Sequence, residues 1–153
     1  LAGQTARVLR MLDGLRAEGE AAVLVHWHVA DTIAGLKRVK DALAQGKPLP
    51  VAFNEGRVWG VKQRLYERVL PLLAEHQLAH LVEAASLCDG VVKGLKHPLW
   101  PLDAWDALRH LVLLLVQAHW RLAHSWVVDQ ATLQEAATLA LEVTPVRAAE
   151  TAA

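Results

Sequence analysis

The sequence predicts an all-α protein that folds as one compact bundle of about five to seven helices. Apolar residues recur every three to four positions through nearly every segment, which is the period of an α-helix. Polar and apolar residues do not alternate over any useful length, and no Asn-Gly or Asp-Gly turn joins two β-branched runs. The two Asp-Gly pairs, Asp13-Gly14 and Asp89-Gly90, both lie within helical patterns. Antiparallel helices joined by short connections are therefore expected.

The first part of the chain is expected to form two amphipathic helices. They cover about residues 4–17 and 20–45, and they end at Gly19 and Gly46, because glycine accepts the left-handed conformation that ends helices. The core-facing stripes, assigned from the helical period, are Val8, Met11, Leu12 and Leu15 in the first helix and Val23, Trp27, Ala30, Ile33, Leu36, Val39 and Leu43 in the second. The segment 47–50 contains two prolines and is expected to be a linker.

The remainder of the chain is expected to add a turn or short helix at about 51–54 and three longer helices. The first two of these cover about 57–70 and 76–95, and the third begins near Asp103, whose carboxylate can cap the first turn. Their stripes are Val58, Val61, Leu65 and Val69, then Leu78, Leu81, Ala85, Cys88, Val92 and Leu95, then Trp105, Leu108, Leu111, Val112 and Leu115. An extension over 118–143 is expected to carry a last amphipathic helix, and 144–153 is expected to be a disordered tail.

Two of these helices are apolar on more than one face. The second helix carries Leu24, Val25, Trp27 and Val29 around its axis, and the sixth is apolar without a gap over 111–116. A helix of this kind is either buried on all sides or turns one side toward another subunit. Both alternatives stay open at the level of the sequence.

Composition limits the class of protein. The chain has 153 residues, 54% of them hydrophobic, with 16 basic and 16 acidic residues, which fits one domain and argues against a strongly basic protein that coats nucleic acid. Cys88 is the single cysteine, so an internal disulfide is impossible, and a cytoplasmic location is expected. No apolar stretch approaches the roughly 18 residues of a membrane span. The chain does not begin with Met, and a fragment of a longer protein is expected.

A search for catalytic motifs predicts no catalytic site and no cofactor. The Gly46-Lys47 pair is followed by Pro48, so it does not form a phosphate-binding loop. His76 and His80 are four residues apart on one helical face and could hold a metal, but the residue after His76 is glutamine, where a zinc protease has its catalytic glutamate. A small metal-binding protein or enzyme using this pair is one alternative function, and two ordinary solvent-facing histidines are the simpler interpretation.

Positive charge is concentrated between residues 35 and 68. That stretch has eight basic and three acidic residues (8 − 3 = +5), and it is either a solvated helix surface or a face turned toward DNA or an acidic partner. The candidate basic surface comprises Lys37, Arg38, Lys40, Arg57, Lys62 and Arg64. Lys93 and Lys96 beside Trp100 form a second candidate, which would lie close to DNA if the aromatic ring were exposed for stacking. A DNA-contacting helical module is therefore a further alternative function.

Several segments together resemble a known family. These are the residues 18–24 (EGEAAVL) at a helix junction, Leu36-Lys37-Arg38, Arg57-Val58-Trp59, the residues 92–96 (VKGLK), and Trp105. Their order and spacing resemble the C-terminal collar domain of the delta subunit of the bacterial DNA polymerase III clamp loader. The likeness covers about residues 5–117, which sets the expected collar domain at 1–117.

The resemblance implies an assembly role in DNA replication. Delta-family collar domains join the C-terminal helical domains of the gamma or tau and delta prime subunits in a pentameric ring, and DNA passes nearby in that complex. The polymerase activity of the whole assembly, a DNA-directed nucleotidyltransferase, would lie outside this chain. The family usually ends after the sixth helix, so the extension from Ala118 onward, with Trp120 and Trp126, departs from its pattern.

Overall fold

A computed structural model describes residues 2–118 and Leu141, with side chains from Thr5 onward. Over these residues the chain forms six α-helices and one 3-10 turn, and no strand, which confirms the expected all-α bundle. The helices are α1 (Ala2–Ala17), α2 (Ala22–Ala44), α3 (Leu49–Gly56), α4 (Val61–Val69), α5 (Glu75–Val92) and α6 (Ala104–Gln117), and the 3-10 turn is Leu70–Leu72. None of the described helices is both long and apolar enough to cross a bilayer.

Helix α2 is the centre of the bundle and contacts α3, α5 and α6. His26, near its start, lies against Ala85 in the second half of α5, so α2 and α5 run antiparallel. Helix α6 returns antiparallel to α5, because the side chain of Gln77 at the start of α5 donates to the carbonyl of Ala118. Helix α1 then packs on α6. This order puts the start of α2, the end of α5 and the start of α6 at one end of the bundle.

Polar contacts hold α3 and α4 on the remaining side of α2. Arg38 donates to the carbonyl of Gly56 (3.2 Å) at the end of α3. Tyr66 on α4 donates from its buried hydroxyl to the carbonyl of Thr32 (3.1 Å). Lys40 donates to the carbonyl of Leu70 (2.9 Å), just beyond α4. Since the contacts advance along both helices together, α4 runs parallel to α2.

The core is made from one side of every helix. Its largest fully buried side chains are Val8, Leu12, Ile33, Leu36, Leu73, Leu78, Leu81, Leu108, Leu111, Leu115 and Leu141. Asp103 caps α6 as expected, because its Oδ1 accepts from the backbone amides of Trp105 (3.0 Å) and Asp106 (3.1 Å). Gly19 and Gly46 end α1 and α2 with φ of +82° and +79°, as the sequence indicates.

Part of the predicted stripe of α2 is wrong. Val23 and Trp27 are 48% and 58% exposed, and the buried face instead includes Val25 and Val29. The first half of α2 is apolar on two faces, so a spacing of three to four fits either of them. Only a contact distant in sequence, the pairing of α2 with α5, selects the buried face. Likewise Val61 and Leu95, assigned to stripes, are 76% and 69% exposed, because Val61 is the first residue of α4 and Leu95 lies beyond the end of α5.

The helix predicted over 57–70 begins four residues late. Arg57 adopts the left-handed conformation (φ 57°, ψ 43°) as the residue that ends α3, and Gly60 has a φ of +60°. The helix predicted over 76–95 ends at Val92, since Gly94 turns the chain with a φ of +93°. The predictions for the extension and the tail, with Trp120 and Trp126, fall outside the described residues except at Ala118 and Leu141.

Candidate functional site

Large apolar side chains are exposed where α2 begins and α5 ends. We define the apolar end as six residues that are between 42% and 82% exposed: Val23, Leu24 and Trp27 of α2, and Leu95, Leu99 and Leu102 of the α5–α6 connection. Trp27 is four positions after Val23 and three after Leu24, so the three α2 members lie on one side of the helix, opposite the face that carries Val25 and Val29. Exposed apolar groups concentrated in one region mark a site of interaction with another molecule.

A buried histidine fixes this end of the bundle. His26 is 5% exposed, and its Nε2 lies 2.8 Å from the carbonyl oxygen of Ala85. A carbonyl only accepts, so Nε2 carries the proton. The Nδ1 atom faces Asp89 at 3.5 Å, and the other carboxylate oxygen of Asp89 accepts from Lys93 Nζ (2.6 Å). The apolar end therefore lies where α2 and α5 are joined by the polar contacts of His26.

The predicted DNA-proximal residues lie in and beside the α5–α6 connection. Lys93 is bound to Asp89, as described above, and Lys96 is exposed without an ion pair among the described residues. Trp100 is partly buried and packs edge-to-face on His110, with ring centroids 4.8 Å apart. Of this group, Lys96 is thus the residue whose charge is both exposed and unpaired within the described part of the chain.

The predicted basic surface separates into two groups, and the α2 group serves the fold. Lys37 pairs with Asp41 on the next turn (2.5 Å). Arg38 and Lys40 donate to backbone carbonyls of the α3–α4 side, as described above. These bonds neutralise or orient the charges and tie α2 to its neighbours.

The other three basic residues surround an exposed aromatic ring. Arg57, Lys62 and Arg64 form no ion pair with any described residue. Between them lie Trp59 and Val61, which are 60% and 76% exposed. We call residues 57–64 the basic–aromatic loop. The spacing of apolar residues predicts a regular helix over this segment. In the sequence, Gly60 is the residue that indicates a turn instead.

Lys62 also lies near the first half of α2. Partial burial lowers the pKa of His28, and the charge of Lys62 lowers it further, while Asp31 acts in the opposite direction. His28 in turn contacts Trp27 edge-to-face, with ring centroids 4.9 Å apart. The basic–aromatic loop is therefore close to the α2 portion of the apolar end.

His76 and His80 line a cavity of about 360 Å³ between the start of α5 and the end of α6. Gln77, which lies between them, accepts from the amide of Ala74 (2.8 Å) and donates to the carbonyl of Ala118. Its role is to cap α5 and to join it to α6. In the part of the chain that the structure describes, no three His, Cys, Asp or Glu side chains are placed to hold a metal, so a site built on this pair would need further ligands.

Cys88 is expected to react very slowly with a thiol reagent in the folded protein. It is fully buried, and burial, with a smaller effect of Asp89, raises its pKa to about 12. Because the thiolate is the reactive form, Ellman's reagent at about pH 8 should release colour from the native protein only as it unfolds. In denaturing urea the same thiol should react at the rate of a free cysteine. Fast reaction without denaturant would contradict the burial of this side chain.

Comparisons of the chain with protein-family models, with curated proteins and with solved structures find no match.

Proposed function

We propose that the chain is a non-catalytic assembly domain of the bacterial DNA polymerase III clamp loader, and that it binds the helical C-terminal domains of the partner subunits. The observation that carries the proposal is the apolar end. It exposes six large apolar side chains. Complete burial of a fully exposed side chain of this kind contributes about 1.5–3 kcal/mol, and these partly exposed side chains would contribute a fraction of that when a partner covers them.

The position of the apolar end supports this role. Val23 and Leu24 belong to the segment 18–24, and Leu95 belongs to the segment 92–96, two of the segments that resemble the delta family. The fold brings these two segments, about seventy positions apart in sequence, to the same end of the bundle through the His26–Ala85 contact. Two of the five segments that carry the resemblance therefore contribute to the exposed apolar surface.

The proposal predicts that the purified chain binds the isolated helical C-terminal domains of the gamma or tau and delta prime subunits. Replacing Leu24 or Trp27 by serine should weaken this binding about tenfold or more, since buried aromatic and aliphatic anchors dominate interfaces. Val51→Ser is the matched control, because Val51 is 44% exposed and Leu24 is 42% exposed, but Val51 lies on α3 away from the apolar end.

Co-elution in size-exclusion chromatography and calorimetric titration would measure the effect. If the unaltered chain binds none of these domains, the assembly role is wrong. If Leu24→Ser and Val51→Ser weaken binding equally, the apolar end is not the surface involved.

A further inference from the structure

We propose that the cavity between the start of α5 and the end of α6 binds a divalent transition-metal ion of the zinc or copper class, with His76 and His80 as its protein ligands. The spacing of this pair in the sequence fits either a metal site or two ordinary histidines. The structure adds that both histidines line one cavity of about 360 Å³. The inference goes beyond the assembly role and does not depend on it, because the cavity lies at the opposite end of the bundle from the apolar end.

The spacing of the two histidines suits a shared metal ion. They are four positions apart on α5, and both are exposed. Side chains at this spacing lie on one face of a helix, with Cβ atoms about 5–6 Å apart. A ring nitrogen of each imidazole can then reach one ion at the bond length of about 2.0–2.1 Å that zinc requires. Zinc proteases hold their metal with two histidines at this same helical spacing.

The first turn of α5 is held in place without a metal ion. The side chain of Gln77 accepts from the amide of Ala74 (2.8 Å) and donates to the carbonyl of Ala118 at the end of α6. Leu78, the next residue, is fully buried in the core. The helical spacing of the two histidines is therefore present in advance, so binding would not have to order this turn first.

The charges around the pair favour a cation over an anion. Helix α5 contains three acidic residues, Glu75, Glu83 and Asp89, and no Lys or Arg. Glu75 lies in the first turn, where its carboxylate offsets the positive end of the helix dipole. None of the described residues that line the cavity is Lys or Arg. A metal ion is thus the expected ligand, and a phosphate or carboxylate is not.

The cavity leaves the remaining coordination positions open. Two imidazoles do not complete a structural zinc site, which takes four protein ligands. The α6 wall of the cavity includes Gln117, whose amide oxygen can accept a hydrogen bond from a metal-bound water. The expected site is an exchangeable one that can also take a small donor ligand. Its nitrogen ligands favour zinc and copper over magnesium and calcium, which prefer oxygen.

Isothermal titration calorimetry of the whole chain with zinc chloride, at neutral pH in a buffer that does not bind metals, tests the proposal. His76→Ala and His80→Ala should each weaken zinc binding about tenfold or more, because the second imidazole acts at a high effective concentration once the first is bound. Copper should bind more tightly than zinc. The electron paramagnetic resonance spectrum of bound copper should show coupling to two nitrogen ligands in the unaltered chain, and His80→Ala should lose one of them.

Two control variants separate this site from the other histidines of the chain. His110→Ala removes an exposed histidine of α6 that does not line the cavity, and it should leave zinc affinity unchanged. The double variant His80→Ala, Val82→His keeps the number of histidines but places the α5 pair six positions apart, on different faces. It should bind zinc as weakly as His80→Ala alone. Since His80 is exposed, its loss should leave the fold intact.

Absence of zinc binding to the unaltered chain, or equal zinc affinity of the His80→Ala variant and the unaltered chain, would overturn the proposal. Tight zinc binding by the double variant would overturn it as well, because the spacing on α5 would then not matter. None of these results bears on the assembly role, which is measured with the Leu24→Ser and Val51→Ser variants and a protein partner.

Discussion

Replacing Gly56 by alanine is expected to lower the free energy of unfolding by about 2–3 kcal/mol, the upper part of the range for overpacking a close contact. An added Cβ would overlap Val39 Cγ2 on α2 and would lie 3.5 Å from the carbonyl oxygen of Gly35. Val39 is fully buried, and as a β-branched residue in a helix it has one strongly preferred rotamer, so its methyl group cannot turn away. The last turn of α3 would have to move off α2.

The matched control is Gly14→Ala in α1. An added Cβ there has nothing within 4 Å, and alanine is the better helix former by about 1 kcal/mol, so this variant should gain stability. Urea unfolding of both variants measures the difference. Similar midpoints for the two would show that α3 does not approach α2 as closely as described.

A double variant sharpens the test. Val39→Ala alone should cost about 2 kcal/mol through the buried methyl groups it removes. The double variant Val39→Ala, Gly56→Ala should lose less stability than the sum of the two single losses, by about 1 kcal/mol or more. The reason is that the new Cβ at position 56 occupies the space vacated by the valine methyl groups. Strict additivity would mean that the two side chains do not meet.

Replacing His26 by alanine is expected to cost about 2–4 kcal/mol, because it removes both a buried ring and the hydrogen bond to Ala85. That bond joins the two helices with the most extensive contact in the bundle, α2 and α5. His26→Gln keeps a donor at a similar reach and should recover about 1 kcal/mol of the loss.

His80→Ala is the control for the loss of a histidine, because His80 is exposed on α5 and its removal should stay within about 0.5 kcal/mol. Chemical denaturation at neutral pH gives all three values. If His26→Ala and His80→Ala lower the free energy of unfolding equally, the hydrogen bond between His26 and Ala85 does not contribute to stability.

The sequence is sufficient to predict that the elements are α-helices and to place several helix ends, because both depend on residues that are neighbours along the chain. The cap at Asp103 and the stops at Gly19 and Gly46 are local effects of this kind. The choice between the two apolar faces of α2 was not readable, since it depends on a contact with Ala85, 59 residues away. The sequence does not indicate that α4 begins only at Val61, because arginine rarely takes the left-handed conformation that Arg57 adopts.

In the candidate basic surface, too, contacts between residues close in sequence are predictable and contacts between distant residues are not. The pairing of Lys37 with Asp41, four residues on, follows from helical spacing and could have been read from the sequence. The bonds of Arg38 and Lys40 to carbonyls 18 and 30 residues away could not. Only the fold distinguishes these structural cations from Arg57, Lys62 and Arg64 beside Trp59.

The connection between α2 and α3, over residues 45–48, is a place where the chain can grow. The entropic cost of closing a flexible loop rises only with the logarithm of its length, so doubling the length of such a connection would cost about 0.6 kcal/mol. Gln45 and Gly46, exposed between α2 and α3, could therefore accept inserted residues at small cost while α3 keeps its place on α2. Evolution could acquire a new binding element there and leave the rest of the bundle intact.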